Sequence, residues 1–388
     1  MIVISALILL FCYIIIFSVI DLRKKRTVCE YPPISFVIPC YNDADTVAET
    51  VRSVYYTYRD QTFEVIVIND SSKDHTAREL RNLRYKYQIQ IVNNPVNLGK
   101  AKSLNNCIGN TKYDMILFLD ADVIVNKKAL YDVIARFQNN TKLGAVSCPY
   151  TPKNQGFLPL MQKIEYVMKT LVQGSYNLFS AMSLWGGFLA VRKDALIEAG
   201  CFSENAIIED VDLAFKLNQK GWKVEQSFLP VRTYVPDNLT AWYKQKKRWV
   251  SGSLQCLIKY RNIWIKNPVQ VVMILVYGSF IISSVSSLFI GLMCLPGLVD
   301  SFNLATVKFS TIDVGGKIII GCISRLAFSF FSIPYVIPLI QKPDQFYKLF
   351  YVIPFTVIYY PALFLVSIVG IFLCLCRYRK LERGTRAW

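Results

Sequence analysis

Residues 115–122 read MILFLDAD, five apolar residues followed by two aspartates one residue apart. A short apolar run with polar flanks is typical of a strand buried on both faces of a sheet. Comparable runs precede it at Ile34 to Pro39, Phe63 to Ile68 and Gln90 to Val92. Helical patterns lie between the runs, for example over Ala44 to Tyr55 and Thr76 to Tyr85. This alternation predicts an α/β fold with a mostly parallel sheet that is flanked by helices on both faces.

Polar residues follow the ends of these strands, and they are the first candidates for a binding site. In open α/β sheets, ligands bind beyond the carboxyl ends of the strands. The residues at those positions are Asn42, Asp43, Asp70, Asp120 and Asp122. The arrangement is typical of a nucleotide site, although many other proteins share it.

Composition indicates that part of the chain belongs to a membrane. The 388 residues are 53% hydrophobic and carry a formal charge of +17. Met1 to Ile20 is an unbroken apolar run, and about 20 such residues suffice to cross a bilayer. Basic residues 23–26 follow the run instead of preceding it, which is the reverse of a cleaved signal peptide. We therefore expect residues 1–22 to form a retained transmembrane anchor with its basic end inside the cell.

The remaining chain divides into a soluble domain and a second apolar region. Residues 31–235 form the predicted soluble domain, in which 155–175 is expected to be a surface helix along the bilayer with Lys163 and Glu165 solvated. Residues 236–266 mix aromatic and basic side chains, as interfacial amphipathic helices do. Residues 268–376 are expected to form transmembrane and broken interfacial helices, and 377–388 a basic cytoplasmic tail. Two crossings followed by a hairpin broken at Pro354 and Pro361 would place that tail inside.

The excess of positive charge fits a membrane surface better than nucleic acid. Nucleic-acid readers usually concentrate basic residues on a folded soluble face. Here the basic clusters flank apolar spans, at residues 23–26, 244–248 and 377–386. We therefore expect membrane lipids as partners and no nucleic acid. The eleven cysteines include no Cys-x-x-Cys pair, which argues against a zinc or disulfide framework.

Three short motifs carry candidate chemistry. Asp120 and Asp122 could bind Mg²⁺ or Mn²⁺ and leave coordination positions open for diphosphate oxygens, or they could be solvated acids at a strand end. Glu209 and Asp210 begin a predicted helix, where acids favour the helix terminus; alternatively, Asp210 is a general base for an acceptor hydroxyl.

The third motif is Gln245-Lys246-Lys247-Arg248-Trp249. A cation beside an aromatic ring could be a membrane anchor. In the alternative, Arg248 neutralises a leaving diphosphate and Trp249 stacks on a sugar ring.

In order and spacing, these motifs resemble those of the family 2 processive glycosyltransferases, the synthases of hyaluronan, chitin, cellulose and poly-N-acetylglucosamine. The match extends over Pro39 to Asp43, where Asn-Asp replaces the usual Asn-Glu, and Asn69 to Thr76, where Ser71 replaces a glycine. It continues through the aspartate pair and Ile208-Glu209-Asp210, which lacks the usual threonine. Gln245 to Trp249 is a full match and the most specific signal.

The resemblance implies a GT-A-like fold, a UDP-sugar donor and a divalent metal held by Asp120 and Asp122. It further implies that Asp43 and Asp70 contact the uridine, Lys100 the nucleotide, and Gln245 the substrate. Trp185, in Trp185-Gly186-Gly187-Phe188, would lie in an acceptor-contacting loop where Ser-Gly is more usual. Arg383-Gly384-Thr385-Arg386 is similar to the Trp-Gly-Thr-Arg gating motif of hyaluronan and chitin synthases but lacks its leading tryptophan. The likeness implies that Arg386 would reach the diphosphate.

The sequence thus predicts an inverting, metal-dependent glycosyltransferase of the cell membrane with a cytoplasmic active site. Asp210 would be the base, with Glu209 beside it, and Arg248 would assist departure of UDP. The expected acceptor is a growing β-linked polysaccharide containing N-acetylglucosamine, exported by the spans or with an accessory subunit. Alternatives are a transferase that adds one sugar to a lipid or lipid-linked acceptor, and a transporter or channel with a degenerate cytoplasmic domain.

Overall fold

The computed structural model describes residues 16–24, 26–178, 180–181, 183–265, 271 and 349–381. Residues 1–15, most of the segment 268–376 and the tail 382–388 with Arg386 therefore lie outside the described residues. Among the helices that are described, none is both long enough and apolar enough to span a bilayer.

Within the described residues, nine strands form a large sheet and a small one. The large sheet has seven strands in the order β3-β2-β1-β4-β7-β5-β8, and the small sheet pairs β6 with β9. The strands are β1 Ile34–Cys40, β2 Phe63–Asn69, β3 Ile89–Asn93, β4 Met115–Leu119, β5 Leu143–Ser147, β6 Tyr150–Pro152, β7 Phe188–Arg192, β8 Lys223–Gln226 and β9 Val231–Thr233.

Helices connect the strands and cover both faces of the large sheet. They are α1 Val47–Tyr58, α2 Thr76–Lys86, α3 Lys100–Ile108, α4 Lys127–Asn139, α5 Phe157–Ser175, α6 Lys193–Glu198, α7 Glu209–Gln219, α8 Leu239–Lys259, α9 Arg261–Trp264, α10 Val352–Pro354 and α11 Tyr360–Leu381. Between α10 and α11 lies a π-helical stretch, Phe355–Tyr359. The hairpin expected at Pro354 and Pro361 stays a prediction.

The four strands predicted from the sequence are β1 to β4, and all of their mutual pairings are parallel. Their side chains alternate between two buried apolar layers, with Phe36 and Ile38 on one face and Val37 on the other. A parallel strand that is buried on both faces requires apolar residues at every position. This requirement explains why the runs are continuous in the sequence.

Strand β7 was not predicted, and its direction determines the geometry of the site. It runs antiparallel to β4, with Leu119 opposite Phe188. The residues before β7 therefore lie beside the residues after β4. Consequently, Gly186 and Gly187 lie near Asp120, although Gly186 is 66 positions further along the chain.

The chain before β1 is attached to this domain by buried charges. The Arg136 side chain is 1% exposed and contacts three carboxylates, those of Asp21 at 2.8 Å, Asp132 at 2.8 Å and Glu225 at 2.9 Å. Asp21 also contacts Arg26. These contacts attach the segment 16–24 to α4 and β8.

Replacing Arg136 with Met is expected to lower the free energy of unfolding by about 3–5 kcal/mol, because the buried carboxylates lose their shared cation. Thermal unfolding in detergent measures the effect. Lys24→Met is the matched control, since Lys24 contacts Asp21 at 3.5 Å but is 51% exposed; an exposed pair contributes only about 0–1 kcal/mol. Equal losses in both variants would show that the Arg136 cluster contributes no special stability.

Candidate active site

Asp120 and Asp122 follow β4 directly. Asp120 is held by the residue that precedes β7, and Asp122 is held by a residue of β9. The Asp120 N–H donates to the Gly187 carbonyl at 3.0 Å. The Thr233 hydroxyl donates to the Asp122 carboxylate at 2.9 Å. Burial, together with the negative charge of Asp120, raises the pKa of Asp122 to about 6. Two carboxylates that disfavour each other's charge form a site that a cation would stabilise.

This donor set fits Mg²⁺ or Mn²⁺, which prefer oxygen ligands and retain open positions. Within the described residues, no group of three or more His, Cys, Asp or Glu side chains is placed to hold a metal alone. A cation at Asp120 and Asp122 would therefore need further oxygens, as a donor diphosphate supplies. Thr233, which orients Asp122, was not identified from the sequence because β9 is distant along the chain.

Lys100 connects the aspartate pair to the acids of α7. Its ammonium group lies 2.6 Å from Asp120 Oδ1, 3.1 Å from Glu209 Oε1 and 3.3 Å from the Gly186 carbonyl. Burial opposes its charge, but Asp120 and Glu209 outweigh burial and raise the pKa of Lys100 above its ordinary value. Lys100 therefore remains cationic between the metal candidates and the base candidate.

Asp70 supports the loop that delivers Lys100. Its carboxylate accepts hydrogen bonds from the N–H groups of Leu98 at 2.9 Å and Gly99 at 2.8 Å, and from the Asn94 amide at 2.8 Å. Burial alone would raise the pKa of Asp70, but these donors hold it below the ordinary value. A carboxylate with three such bonds fixes the loop before α3 firmly.

Glu209 and Asp210 have pKa shifts of opposite sign. Burial disfavours the charge of Glu209, but Lys100 and Arg248 outweigh it and lower the pKa of Glu209. Burial and the adjacent Glu209 charge raise the pKa of Asp210 to about 7. Adjacent acids whose environments separate their pKa values mark an acid–base site. Asp210 is the group with the pKa of a base near neutral pH.

Gly186 and Gly187 leave room for the carboxylates. A methyl group on Gly186 would lie 2.6 Å from Asp210 Oδ2, and one on Gly187 would lie 2.8 Å from Asp120 Oδ2. The Gly187 N–H also donates to the Tyr150 hydroxyl. The glycines were identified from the sequence only as part of a loop motif, and their contact with two acids was not foreseen. Nothing in the sequence identified Tyr150 as a residue of the site.

One cavity of about 490 Å³ joins most of the predicted site residues. Nine of them line it: Lys100, Asp120, Asp122, Trp185, Glu209, Asp210, Gln245, Arg248 and Trp249. Asp43 and Asp70 do not line it, and Arg386 lies outside the described residues. Asp43 accepts a hydrogen bond from the Tyr41 N–H at 2.7 Å, and burial raises its pKa.

Trp249 belongs to an aromatic cluster in the wall of this cavity. Its ring lies 6.1 Å from that of Tyr166 and 6.4 Å from that of Trp185, between centroids. Trp185 is largely buried, and its indole N–H donates to the Gln226 amide at 2.8 Å. Trp185 is therefore fixed in place as part of the cavity wall.

The expectation that Glu165 faces solvent on α5 is wrong. Glu165 is fully buried and contacts Lys169 and Lys246, each at 2.8 Å. Burial would raise its pKa, but the two lysines outweigh burial and lower it to about 2. Lys163 is half-buried. The prediction failed because α5 packs against α8 and the π-helical stretch. This packing buries Glu165, which would face solvent on an isolated helix.

The chain is similar to known glycosyltransferases in sequence and fold. Residues 35–200 match the model of glycosyl transferase family 2. The poly-beta-1,6-N-acetyl-D-glucosamine synthase of Staphylococcus aureus (strain MSSA476) is 32% identical over 245 residues, which are 62% of this chain and 59% of the relative. That of Staphylococcus epidermidis is 31% identical over 277 residues, 70% of this chain and 66% of the relative. The match thus spans about six tenths of the length of the S. aureus relative.

A solved structure confirms the fold class. A mannosyltransferase from Pyrobaculum calidifontis, solved with GDP-Man and Mn²⁺, superposes with a TM-score of 0.60 at 16% identity. The superposition covers 94% of each chain. The architecture is a GT-A-like α/β fold with a mixed, mostly parallel sheet flanked by helices. The predicted resemblance is confirmed, and residues 35–200 form a glycosyltransferase family 2 domain.

Proposed function

We propose that the protein is an inverting glycosyltransferase that moves N-acetylglucosamine from a UDP-sugar to the end of a growing β-linked polysaccharide. The observation that carries the proposal is the single cavity that brings Asp122, Asp210 and Trp249 together. The names of the two staphylococcal relatives support the choice of N-acetylglucosamine.

Asp210 is the proposed general base. The acceptor hydroxyl oxygen attacks C1 of the donor sugar while its proton passes to the Asp210 carboxylate. The C1–O bond to the diphosphate breaks, and UDP leaves with the electron pair. Direct displacement by one activated hydroxyl inverts the configuration at C1. Glu209, which Lys100 keeps ionised, maintains the raised pKa of Asp210 that this proton transfer requires.

Cationic groups bind the leaving diphosphate. Asp120 and Asp122 would hold Mg²⁺ or Mn²⁺, which when bound would neutralise charge on the diphosphate. Lys100 and Arg248 both add positive charge near Glu209. The exposed guanidinium of Arg248 can form bidentate hydrogen bonds to phosphate. Asp43 and Asp70 are proposed to serve the uridine end of the donor, Asp70 by holding the loop before Lys100.

Trp249 and Gln245 are proposed to hold the acceptor. An indole offers a flat apolar face to the C–H groups of a sugar. Trp185 shapes the same pocket through its contact with Trp249. Arg386, outside the described residues, remains a proposed diphosphate contact.

The enzyme is proposed to act at the cytoplasmic face of the cell membrane, with lipids as neighbours and export coupled to synthesis. The apolar run of residues 1–20 and the basic residues 23–26 support this placement. An accessory subunit that completes the export path is part of the proposal.

A single addition to a lipid-linked acceptor is the second candidate. Leu254, Leu257 and Leu363 line the cavity, and such side chains suit an acyl or polyprenyl chain. Product length separates the two candidates, because both use the same catalytic residues.

The purified full chain in detergent, incubated with UDP-N-acetylglucosamine, UDP-glucose or UDP-glucuronate and Mn²⁺, tests the function. We expect UDP release and a polymer from UDP-N-acetylglucosamine, and loss of both on addition of EDTA. Products that carry one added sugar would favour the second candidate. No UDP release from any donor would overturn the proposed function.

A further inference from the structure

A buried group of charges lies in the cavity beside Trp249, and the chemistry proposed above does not use it. Lys246 is 1% exposed and Glu165 is fully buried, with 2.8 Å between Nζ and Oε2. Lys169 contacts the other oxygen of Glu165 at 2.8 Å. Lys169 is 21% exposed, so Lys246 and Glu165 are the buried members of this group, and a buried charge is costly unless it is paired.

Both ammonium groups face the ring that is proposed to stack on the acceptor. Lys246 Nζ lies 4.3 Å from the centroid of the Trp249 ring, and Lys169 Nζ lies 4.4 Å from it. Lys246 also lies 4.9 Å from the Tyr166 ring. Cation–π attraction at these distances favours this placement of the ammonium groups. Lys169, Lys246 and Trp249 all line the same cavity, so an acceptor sugar bound in it would lie beside both ammonium groups.

Unused hydrogen-bond acceptors lie in the same cavity. The side-chain oxygens of Gln173 and Gln245 are buried and have no hydrogen-bond partner in the described structure. The Gln173 amide nitrogen is engaged, since it donates to the Ser183 hydroxyl at 3.0 Å. Buried polar atoms without partners are rare in native proteins, so each calls for a missing group. Hydroxyl or amide N–H groups of a sugar would satisfy both oxygens.

We infer that Lys246 is an acceptor-binding residue: its ammonium, held over Trp249 by Glu165, donates a hydrogen bond to an oxygen of the acceptor sugar. Gln173 and Gln245 accept hydrogen bonds from the same sugar, and Glu165 is a positioning residue that acts through Lys246. The inference rests on the proposed function and extends it to the class of acceptor. Two lysines beside the ring favour a neutral, N-acylated sugar and disfavour one with a free protonated amine.

Burial of the Lys246 ammonium is consistent with a group that gains a hydrogen-bond partner when a ligand binds. It lowers the pKa of Lys246 to about 7, with the neighbouring Lys169 adding to the effect and Glu165 opposing it. A hydrogen bond from the ammonium to a sugar oxygen would stabilise the charged form.

Steady-state kinetics with a soluble β-linked N-acetylglucosamine oligosaccharide as acceptor tests the inference. Lys246→Met is expected to raise the acceptor KM roughly tenfold or more, because a hydrogen bond from a charged donor is lost. The donor KM, and UDP release without acceptor, are expected to stay within twofold of wild type. Lys246→Arg should recover part of the lost acceptor affinity.

A double variant guards against misfolding, because Lys246→Met alone leaves Glu165 with less compensation. Glu165→Gln combined with Lys246→Met removes both charges of the pair and is expected to show the same rise in acceptor KM. Lys247→Met is the matched control: its ammonium lies 5.5 Å from the Tyr243 ring and does not line the cavity. Its acceptor KM should equal that of wild type.

Selectivity gives a readout that a structural role would not change. Wild type should have a higher KM for the de-N-acetylated oligosaccharide than for the acetylated one. In the double variant, the difference between these two KM values should be smaller. An acceptor KM within twofold of wild type in the double variant, or an equal rise in donor KM, would overturn the inference. In either case wild-type transfer would leave the proposed function standing, whereas a wild type that releases no UDP would remove both.

Discussion

Replacing Asp210 with Asn is expected to reduce glycosyl transfer by roughly 10²- to 10⁴-fold, the range that general base catalysis contributes. Asn keeps the size of the side chain but cannot take a proton from the acceptor hydroxyl. The buried site should tolerate it, since Asp210 itself is held near neutrality by a pKa of about 7. Turnover assays of the purified variant, at saturating donor and acceptor, measure the loss.

Nucleotide affinity and pH dependence are the controls for this variant. UDP affinity, measured by calorimetry, should remain within a few-fold of wild type, because Lys100 pairs with Asp120 and Glu209, and these contacts remain. A loss of UDP affinity as large as the loss of transfer would assign Asp210 to the donor pocket instead.

In wild type, transfer should increase as pH rises through about 7, because Asp210 is protonated, and inactive as a base, below its pKa. The residual transfer of the variant should lack this rise.

Gly186→Ala is expected to reduce transfer by roughly 100-fold, since displacing a reacting group by about 1 Å can cost that much. The added methyl group would lie 2.6 Å from Asp210 Oδ2 and 3.0 Å from Asp210 Cγ, so the base must move. Gly186 also accepts from Lys100 at 3.3 Å through its backbone, which the substitution retains. Turnover with donor and acceptor at saturation measures this effect as well.

Gly109→Ala provides the comparison. A methyl group on Gly109 would meet no atom of the described residues within 4 Å, and transfer should be unchanged. Thermal unfolding of both variants shows whether either change disturbs the fold. A Gly186→Ala enzyme with wild-type turnover would mean that the observed position of Asp210 is not the reactive one.

Local sequence determined the first half of the sheet. The apolar runs from Ile34 to Leu119 predicted β1 to β4 because a strand covered on both faces needs an apolar residue at every position. Strand β7 has the same character, with four buried residues in FLAVR. Its antiparallel direction depends on its partners β4 and β5, which the composition of a strand does not specify.

The site was predictable where a residue carries its own chemistry. Asp120, Asp210 and Trp249 could be chosen from sequence because they stand in motifs whose order and spacing resemble those of a known family, and all three line one cavity. Glu165 could not, because its helix reads as amphipathic and its partner Lys246 is 81 residues away. Gly186 could be noted but not explained, since the space it leaves for Asp210 exists only in the folded chain.

The attachment of Asp21 has a mechanical consequence for the cavity. Asn177 donates both to Asp21 at 3.2 Å and to the Gln226 carbonyl at 2.8 Å, while the Gln226 side chain accepts from the indole of Trp185 at 2.8 Å. A displacement of the segment 16–24 would therefore be transmitted through these hydrogen bonds to Trp185. The segment and the wall of the cavity should move together as one rigid unit.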